Sequence, residues 1–332
     1  MKYSLIIPVY NRPAEVDELL QSLAKQLFTD FEVIIVEDGS AQGCQDVVQK
    51  YEGSLALKYF YKENSGPGPS RNYGAARAQG EYLIFLDSDV MVPEGYFEAI
   101  GQELPADAFG GPDREHPSFT PVQKAISYSM TSWLTTGGIR GGRKSMDKFY
   151  PRSFNMGIRK DVFERLGGFS AMRFGEDIDL SIRIFEAGFT CRLFPEAWVW
   201  HKRRTDLGKF FRQVHNSGIA RINLYKKHPS SLRPVHLLPA LFTIGCALLA
   251  LGTIFHRASF SPVVFYAILV LIDSLVQHKR DKEAFYIAIL SVGAAFVQLI
   301  GYGTGFLRAW WERCVVRTGG EDLQAYKDNF YK

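Results

Sequence analysis

Acidic and polar residues gather where apolar runs end. Tyr10, Asn11 and Arg12 follow YSLIIPV, Glu37 and Asp38 follow FEVIIV, and Asp87 and Asp89 flank Ser88 directly after EYLIFL. Carboxylates brought to one place repel one another unless a cation or hydrogen-bond donors sit among them. The economical ligand is therefore a divalent metal, which takes hard oxygen donors, together with a molecule carrying a base and phosphates. Turn chemistry accounts for EDGS or DSD taken singly, because Asp, Asn, Ser and Gly favour turns. Further along, Glu176, Asp177 and Asp179 stand in GEDID, and His201 follows AWVW, with Lys202, Arg203 and Arg204 next to it. Acidic residues also suit the first turn of a helix, where they oppose the macrodipole, so GEDID has a structural reading as well.

The elements needed to bring these residues together are legible as alternating patterns. YSLIIPVY, FEVIIVE, ALKYFY and EYLIFLD are apolar runs of strand length, the signature of strands buried on both faces. Leu19, Leu20, Leu23 and Leu27 recur at helical spacing within Ala14 to Leu27, and Gly68 to Ala78 supplies a second helix of small residues. Strand and helix in alternation give a mainly parallel, Rossmann-like α/β sheet flanked by helices, with right-handed crossovers. Such sheets bind ligands outside the carboxyl ends of their strands, where the polar residues above lie.

The 332-residue chain is long enough for a catalytic domain of about residues 1–228 and a second region. No charged residue occurs from Leu238 to Phe255 or from Ala284 to Leu307, and Ala258 to Gln277 has only Asp273. The first two stretches reach roughly 27 and 36 Å at the α-helical rise, enough to cross a bilayer. A transmembrane region of two or three helices is expected over 236–307, at about 237–255, 260–277 and 284–307, with a basic aromatic tail over 308–332. Lys226, Lys227 and Arg233 precede the first span, and Lys279, Arg280 and Lys282 follow the second, which puts the head on the cytoplasmic face. Three crossings would place the tail on the opposite side, whereas its Arg308, Arg313 and Arg317 favour the same side. A re-entrant segment, or a tail lying at headgroup level with Trp310 and Trp311, would reconcile the two. Residues 207–225 set Leu207, Phe210, Phe211, Val214, Ile222 and Tyr225 on one stripe edged by Lys209 and Arg212. They read as an amphipathic helix at the membrane interface, with an ordinary packed helix as the alternative.

Other classes are set aside on composition. A net charge of +4 is too mild for nucleic acid. Cys44, Cys191, Cys246 and Cys314 show neither zinc-ligand spacing nor a disulfide framework. The opening MKYSLIIPVYNR is not expected to be a signal peptide, since its apolar run is short, is broken by proline and lacks a small-residue cleavage site.

At this point SLIIPVYNR, SLAKQ, FEVIIVEDGS, GPSRNYGAARAQGEYLIFLDSD, RLGGFS and FGEDIDLSIRIFEAGF, in this order, resemble the family-2 glycosyltransferases of the GT-A fold, of the membrane-anchored bacterial type, over about residues 3 to 225. The resemblance implies that Pro8 and Tyr10 line the base pocket and that Asp38 accepts from the base, which suits a uracil imide. It implies that Asp87 approaches the ribose and that Asp89 holds Mg2+ or Mn2+ against the diphosphate. Arg71 and Arg12 would face the nucleotide, Asp177 would be the catalytic base, and His201 would complete the metal shell. A packed or interfacial histidine is the competing reading of His201. The expected activity is transfer of a single sugar from a nucleotide-diphosphate sugar, UDP-linked, to a lipid-linked or membrane-associated acceptor, inverting and metal-assisted. Its setting would be cell-surface polysaccharide or glycolipid synthesis at the cell inner membrane. RQVHNSGIARINL departs from the QxxRW signature of processive synthases, which favours single transfer. A crowd of glycine and basic residues within Gly110 to Arg152, centred on GGIRGGRKS, is expected to serve the acceptor side.

Two other classes compete. A membrane-bound nucleotidyltransferase would use similar carboxylates but needs a glycine-rich basic loop after the first strand, where this chain has PVYNRPAE. A non-catalytic lipid-binding assembly factor of the same fold would tolerate loss of Asp89 and Asp177, and both are present.

Overall fold

Every residue of the second apolar run, Phe31 to Asp38, is buried, and the first is buried nearly throughout, so both faces of the sheet must be covered. A computed structural model, which describes residues 1–136 and 148–316, shows how. The chain runs β1 (Tyr3–Val9), α1 (Pro13–Leu23), β2 (Phe31–Asp38), α2 (Gln45–Gln49), β3 (Leu57–Lys62), α3 (Pro67–Ala75), β4 (Tyr82–Leu86), β5 (Val90–Met91), α4 (Tyr96–Glu103), β6 (Ala108–Gly110) and β7 (Asp113–Arg114). After α5 (Pro121–Thr131) and α6 (Trp133–Thr136) come β8 (Asn155–Arg159), α7 (Lys160–Arg165), α8 (Glu176–Glu186), β9 (Cys191–Leu193) and β10 (Val199–His201). Four helices follow: α9 (Leu207–Lys227), α10 (Leu238–Gly252), α11 (Ser261–Gln277) and α12 (Ala284–Trp310).

The chain forms two compact units. One comprises Met1–His116 and the described part of Arg143–Lys202, and it holds the sheet. Its seven strands lie in the order β3-β2-β1-β4-β8-β6-β9, and β3, β2, β1 and β4 are mutually parallel. β8 is antiparallel to both its neighbours. Strand alternation divides the core between the faces. Leu5, Ile7, Val33, Ile35 and Leu86 pack with Leu19, Leu20 and Leu23 of α1, while Ile6, Ile34, Val36 and Phe85 pack with Ala75, Val162 and Leu180. Gly74 lets α3 lie directly on the sheet, since a Cβ there would come within 2.6 Å of Ile6 Cγ2. A second sheet of β5, β10 and β7 stands beside the end of β4.

The four expected strands coincide with β1 to β4. α1 is shorter than its leucine spacing suggests: it ends at Leu23, and Leu27 is 91% exposed. The Gln26 backbone N–H turns to Leu23 O at 3.1 Å and its side-chain amide takes Ser22 O at 3.3 Å, which closes the last turn.

The other unit comprises the described residues of Pro117–Gly142 and Arg203–Lys332. Three of its helical segments, Pro234–Gly252, Arg257–Gln277 and Ala284–Val315, are long and apolar enough to cross a membrane. α12 is packed most heavily. On the α9 side a Cβ at Gly305 would lie 2.0 Å from His215 O, one at Gly301 2.5 Å from Val214 Cγ2, and one at Gly218 2.2 Å from Tyr302 O. Small residues thus let two backbones meet, the usual device where lipid removes the hydrophobic drive between helices. This corrects the interfacial reading of residues 207–225. Phe210, Val214 and Ile222 of that stripe are buried within the unit, Phe210 and Val214 with Ala294 and Ile222 with Phe306 and Ala309. Asp273 turns toward neighbouring helices, accepting from Tyr128 OH at 2.6 Å and Ser132 Oγ at 3.2 Å. The GGIRGGRKS segment and the tail beyond Val316 lie outside the described residues.

Candidate functional site

Position in the sheet fixes the first group. β1, β2 and β4 run in parallel, so their carboxyl ends, and the residues after them, share one edge. At the end of β2, Asp38 is 2% exposed and accepts from Lys62 Nζ at 2.6 Å, Ser65 N at 2.9 Å and Gly66 N at 2.9 Å. Gly66 precedes α3, so the carboxylate lies at that helix's positive end. A carboxylate has about four acceptor positions, which leaves one for a further donor. Glu37, fully buried, accepts from Ser40 Oγ, from Cys44 N at 2.8 Å and from Tyr59 OH at 3.3 Å, and so shapes the loop after β2. Ser40 Oγ also accepts from Asn11 N at 2.7 Å, tying that loop to the one after β1. Asn11 makes this turn with a positive φ of 53°. Pro8 and Tyr10, half-buried, stand on either side of Val9 at the end of β1.

The second group meets because the small sheet folds the chain back. β10 runs antiparallel to β5 with His201 opposite Val90, and Lys202 N donates to Asp89 O at 3.0 Å. His201 Nε2 consequently lies 3.2 Å from Asp89 Oδ1. Arg12 Nη1 pairs with the other oxygen, Asp89 Oδ2. The imidazole stacks on Phe154, ring centroids 4.8 Å apart, while its buried Nδ1 has no hydrogen-bond partner, so packing sets the ring's orientation. Ligand atoms of Asp87, Asp89 and His201 all fall within 4.8 Å of one another. Two carboxylates and an imidazole at this separation fit a divalent cation, the carboxylates offering hard oxygens and the ring a borderline nitrogen.

The third group surrounds the start of α8. Arg71 of α3, 3% exposed, donates through Nη2 to Asp87 Oδ1 at 2.7 Å and through Nη1 to Glu176 Oε1 at 2.9 Å. Asn72, next along α3, grips the backbone of Phe169 with both ends of its amide, at 2.8 and 2.9 Å. Asp177 is 4% exposed, accepts from Arg152 Nε at 2.6 Å on Oδ2 and from Ile178 N at 2.8 Å on Oδ1. Burial acting alone would raise the Asp177 carboxyl, but the charge and hydrogen bond of Arg152 hold it below the usual carboxylate range. Glu176 goes the other way, as burial and the adjacent Asp177 charge push it up to about 7. Two neighbouring carboxyls are thereby set apart, one ionised at neutral pH and one near half-titration.

All nine residues singled out from the sequence therefore stand at one edge of one unit. Arg12 and His201 meet at Asp89, Arg71 holds Asp87, and Asp177 follows Glu176, the other partner of Arg71, in the chain; Asp38 is tied in at the head of α3, and Pro8 and Tyr10 line the neighbouring strand end. Arg71 differs from its expected place. Its guanidinium is engaged by two carboxylates and buried over Phe169, so it braces the site. Arg152, Glu176, Lys62 and Asn72 were not legible as site residues. Only Glu176 carried a signal, its adjacency to Asp177.

Such an edge defines a class, an α/β protein whose parallel strands gather carboxylates, guanidinium groups and an imidazole at their carboxyl ends, where open sheets of this kind bind ligands. Residues 4–167 match the model of glycosyl transferase family 2. The validoxylamine A glucosyltransferase of Streptomyces hygroscopicus subsp. jinggangensis is 29% identical over 279 residues, 72% of this chain and 62% of that protein. The poly(ribitol-phosphate) β-N-acetylglucosaminyltransferase TarS of Staphylococcus aureus is 40% identical over 120 residues, 35% of this chain and 20% of its own. The chain spans about three fifths of the first relative's length and one fifth of the second's. Among solved structures, the mannosyltransferase PcManGT of Pyrobaculum calidifontis, in complex with GDP-Man and Mn2+, has a TM-score of 0.64 at 17% identity, covering 94% of this chain and 88% of that one. Staphylococcus aureus TarS in complex with UDP-GlcNAc has a TM-score of 0.50 at 18% identity, covering 90% and 92%. The region of residues 4–167 is a glycosyltransferase family 2 region, and the sheet unit has the GT-A fold.

Proposed function

We propose that this protein transfers a single sugar from a nucleotide-diphosphate sugar to a lipid-linked or membrane-associated acceptor, with inversion at the anomeric carbon. The observation that carries this reading is the proximity of Asp87, Asp89 and His201, linked through Arg71 and Glu176 to the buried base candidate Asp177. Pro8, Tyr10 and Asp38 bind the nucleoside, with Asp38's remaining acceptor position meeting an imide N–H. A uridine donor is favoured by that pairing and by the UDP-GlcNAc complex of TarS. Asp87, Asp89 and His201 would hold Mg2+ or Mn2+; the PcManGT structure is a complex with GDP-Man and Mn2+. When bound, the cation neutralises charge on the departing diphosphate. Arg12, paired with Asp89, lies on the same diphosphate side.

Asp177 is ionised at neutral pH, and Arg152 and the Ile178 amide fix both of its oxygens. It takes the proton of the acceptor hydroxyl as that oxygen attacks the sugar. One displacement with one base inverts the configuration. The three apolar helices and the lysines and arginines flanking them support an inner-membrane protein with its head on the cytoplasmic side, serving cell-surface polysaccharide or glycolipid synthesis.

The test is to incubate membranes containing the full chain with a panel of nucleotide-sugars, with and without Mn2+. Transfer that needs the cation and disappears in Asp177→Asn, with nucleotide binding retained, supports the reading. Release of pyrophosphate instead points to nucleotidyl transfer, and nucleotide binding without turnover points to an assembly factor.

A further inference from the structure

β3 pairs in parallel with β2, and the register sets Lys62 beside Asp38 where both strands end. The Lys62 side chain is 17% exposed and that of Asp38 3%. The Lys62 ammonium donates to Asp38 Oδ1 at 2.6 Å, to Glu63 O at 2.6 Å and to Ser65 Oγ at 2.5 Å, with Ser70 Oγ beyond at 3.5 Å. An ammonium has three protons, so all three are committed to the protein. The loop after β3 holds them there by folding back over the end of β2: Asn64 Nδ2 donates to Asp38 O at 2.8 Å and Ser65 N to Asp38 Oδ1 at 2.9 Å. Oδ1 of Asp38 thus accepts twice, from Lys62 and from Ser65 N, while Oδ2 accepts once, from Gly66 N at 2.9 Å. Each carboxylate oxygen takes about two hydrogen bonds, so Oδ1 is full and the one open position is on Oδ2. The fold alone does not choose a base, since PcManGT is in complex with GDP-Man and TarS with UDP-GlcNAc.

We propose that Lys62 sets the base specificity of the donor site: by filling Asp38 Oδ1 it admits a base whose edge offers a single N–H, the imide of uracil or thymine, and excludes guanine. This rests on the reading that Asp38 meets the base. Guanine presents two adjacent donors, the ring N1–H and the 2-amino group, and a carboxylate matches such a pair with one position on each oxygen, as it matches the arginine fork. With Oδ1 full, the 2-amino group faces an oxygen that cannot accept, and a desolvated donor left unpaired weakens binding. Adenine and cytosine set a ring lone pair beside their amino group, which the carboxylate repels. Lys62 touches no base in this scheme; it acts through Asp38, as a positioning residue.

The test is calorimetry on the full chain with Mn2+, in which GDP and IDP compete against UDP. IDP lacks only the 2-amino group of GDP, so the comparison separates donor count from the size of a purine. Wild type is expected to bind IDP about tenfold more tightly than GDP, the effect of one unpaired donor, and UDP more tightly than either. Lys62→Met keeps the aliphatic stem and frees the position on Oδ1, so GDP should gain until it equals or exceeds IDP, a reversal that general loosening of the loop would not produce. Thermal midpoints verify folding, and should the variant not fold, the wild-type ratio of IDP to GDP decides alone. GDP as tight as IDP in wild type, or a ratio unchanged in Lys62→Met, overturns the proposal and leaves the nucleotide reading standing. Failure of both purines to displace UDP assigns their exclusion to size and overturns it as well. UDP that does not bind at all sinks the nucleotide reading on which the proposal stands.

Discussion

Arg71 Nη2 stands 2.7 Å from Asp87 Oδ1, so the helix that follows β3 is fastened to the acidic turn that follows β4. The same guanidinium reaches Glu176 at 2.9 Å, and Arg71 and Glu176 are nearly sealed from water, while the Asp87 side chain stays a third exposed. Removing one partner of a buried pair strands the other charge, at a cost of about 3–5 kcal/mol. Arg71→Ala should therefore lower the thermal midpoint of the full chain markedly, while Arg77→Ala on the exposed surface should not. Equal midpoints would remove Arg71 as a brace.

Asp177→Asn keeps the shape of the base and removes its ability to take a proton. Loss of one general base costs about 10²–10⁴-fold in rate. Steady-state kinetics should show that loss in kcat, with donor affinity measured by calorimetry unchanged. Donor affinity falling in step with kcat would assign Asp177 to binding.

The pH dependence follows from Arg152. Burial raises the Asp177 carboxyl and Arg152 more than offsets it, so the acid limb of kcat/KM lies below the ordinary carboxylate range. In Arg152→Gln the main influence opposing burial is gone and only the Ile178 amide and the Arg71 charge remain, so the carboxyl rises and the limb moves to higher pH. Profiles of the two proteins that superimpose on the pH axis would contradict this.

Glu176 titrates with the opposite sign. Its folded carboxyl is pushed up to about 7 from an ordinary 4.5, so its contribution to stability is full below about 4.5 and is lost as pH rises through 7. Glu176→Gln keeps an oxygen for Arg71 and removes the titration. Thermal midpoints taken from pH 5 to pH 8 should shift in the variant's favour as pH rises; parallel curves would show that Glu176 is not so perturbed.

In the helical unit, backbone contact is the test. A methyl at Gly305 would meet His215 O at 2.0 Å, whereas one at Gly245 would meet nothing within 4 Å. Overpacking of this kind costs about 1–3 kcal/mol. Gly305→Ala is expected to melt at lower temperature than the parent, and Gly245→Ala at the same temperature.

Much of the sheet was legible because strands buried on both faces leave continuous apolar runs, and the polar ends of β1, β2 and β4 mark the ligand edge. Asp177 and His201 were legible through motif order. The bracing residues were not. Arg152 belongs to an irregular stretch whose sequence says nothing of a partner in α8, and Arg71 looks the same whether it faces a ligand or two carboxylates. The destination of α9 was likewise hidden, since an amphipathic stripe suits a lipid surface or a neighbouring helix equally. Gly218 within the stripe, and Gly301 and Gly305 in the last apolar run, were the signs of close helix contact.

The account rests on Asp87, Asp89 and His201 serving as ligands of one cation beside the diphosphate. Electron paramagnetic resonance of Mn2+ bound to the full chain with a nucleoside diphosphate measures this directly. Nitrogen coupling to the bound ion is expected in the wild type and should vanish in His201→Ala, with Mn2+ binding itself lost in Asp89→Asn. Mn2+ bound with undiminished affinity in Asp89→Asn, and without nitrogen coupling in the wild type, would contradict it.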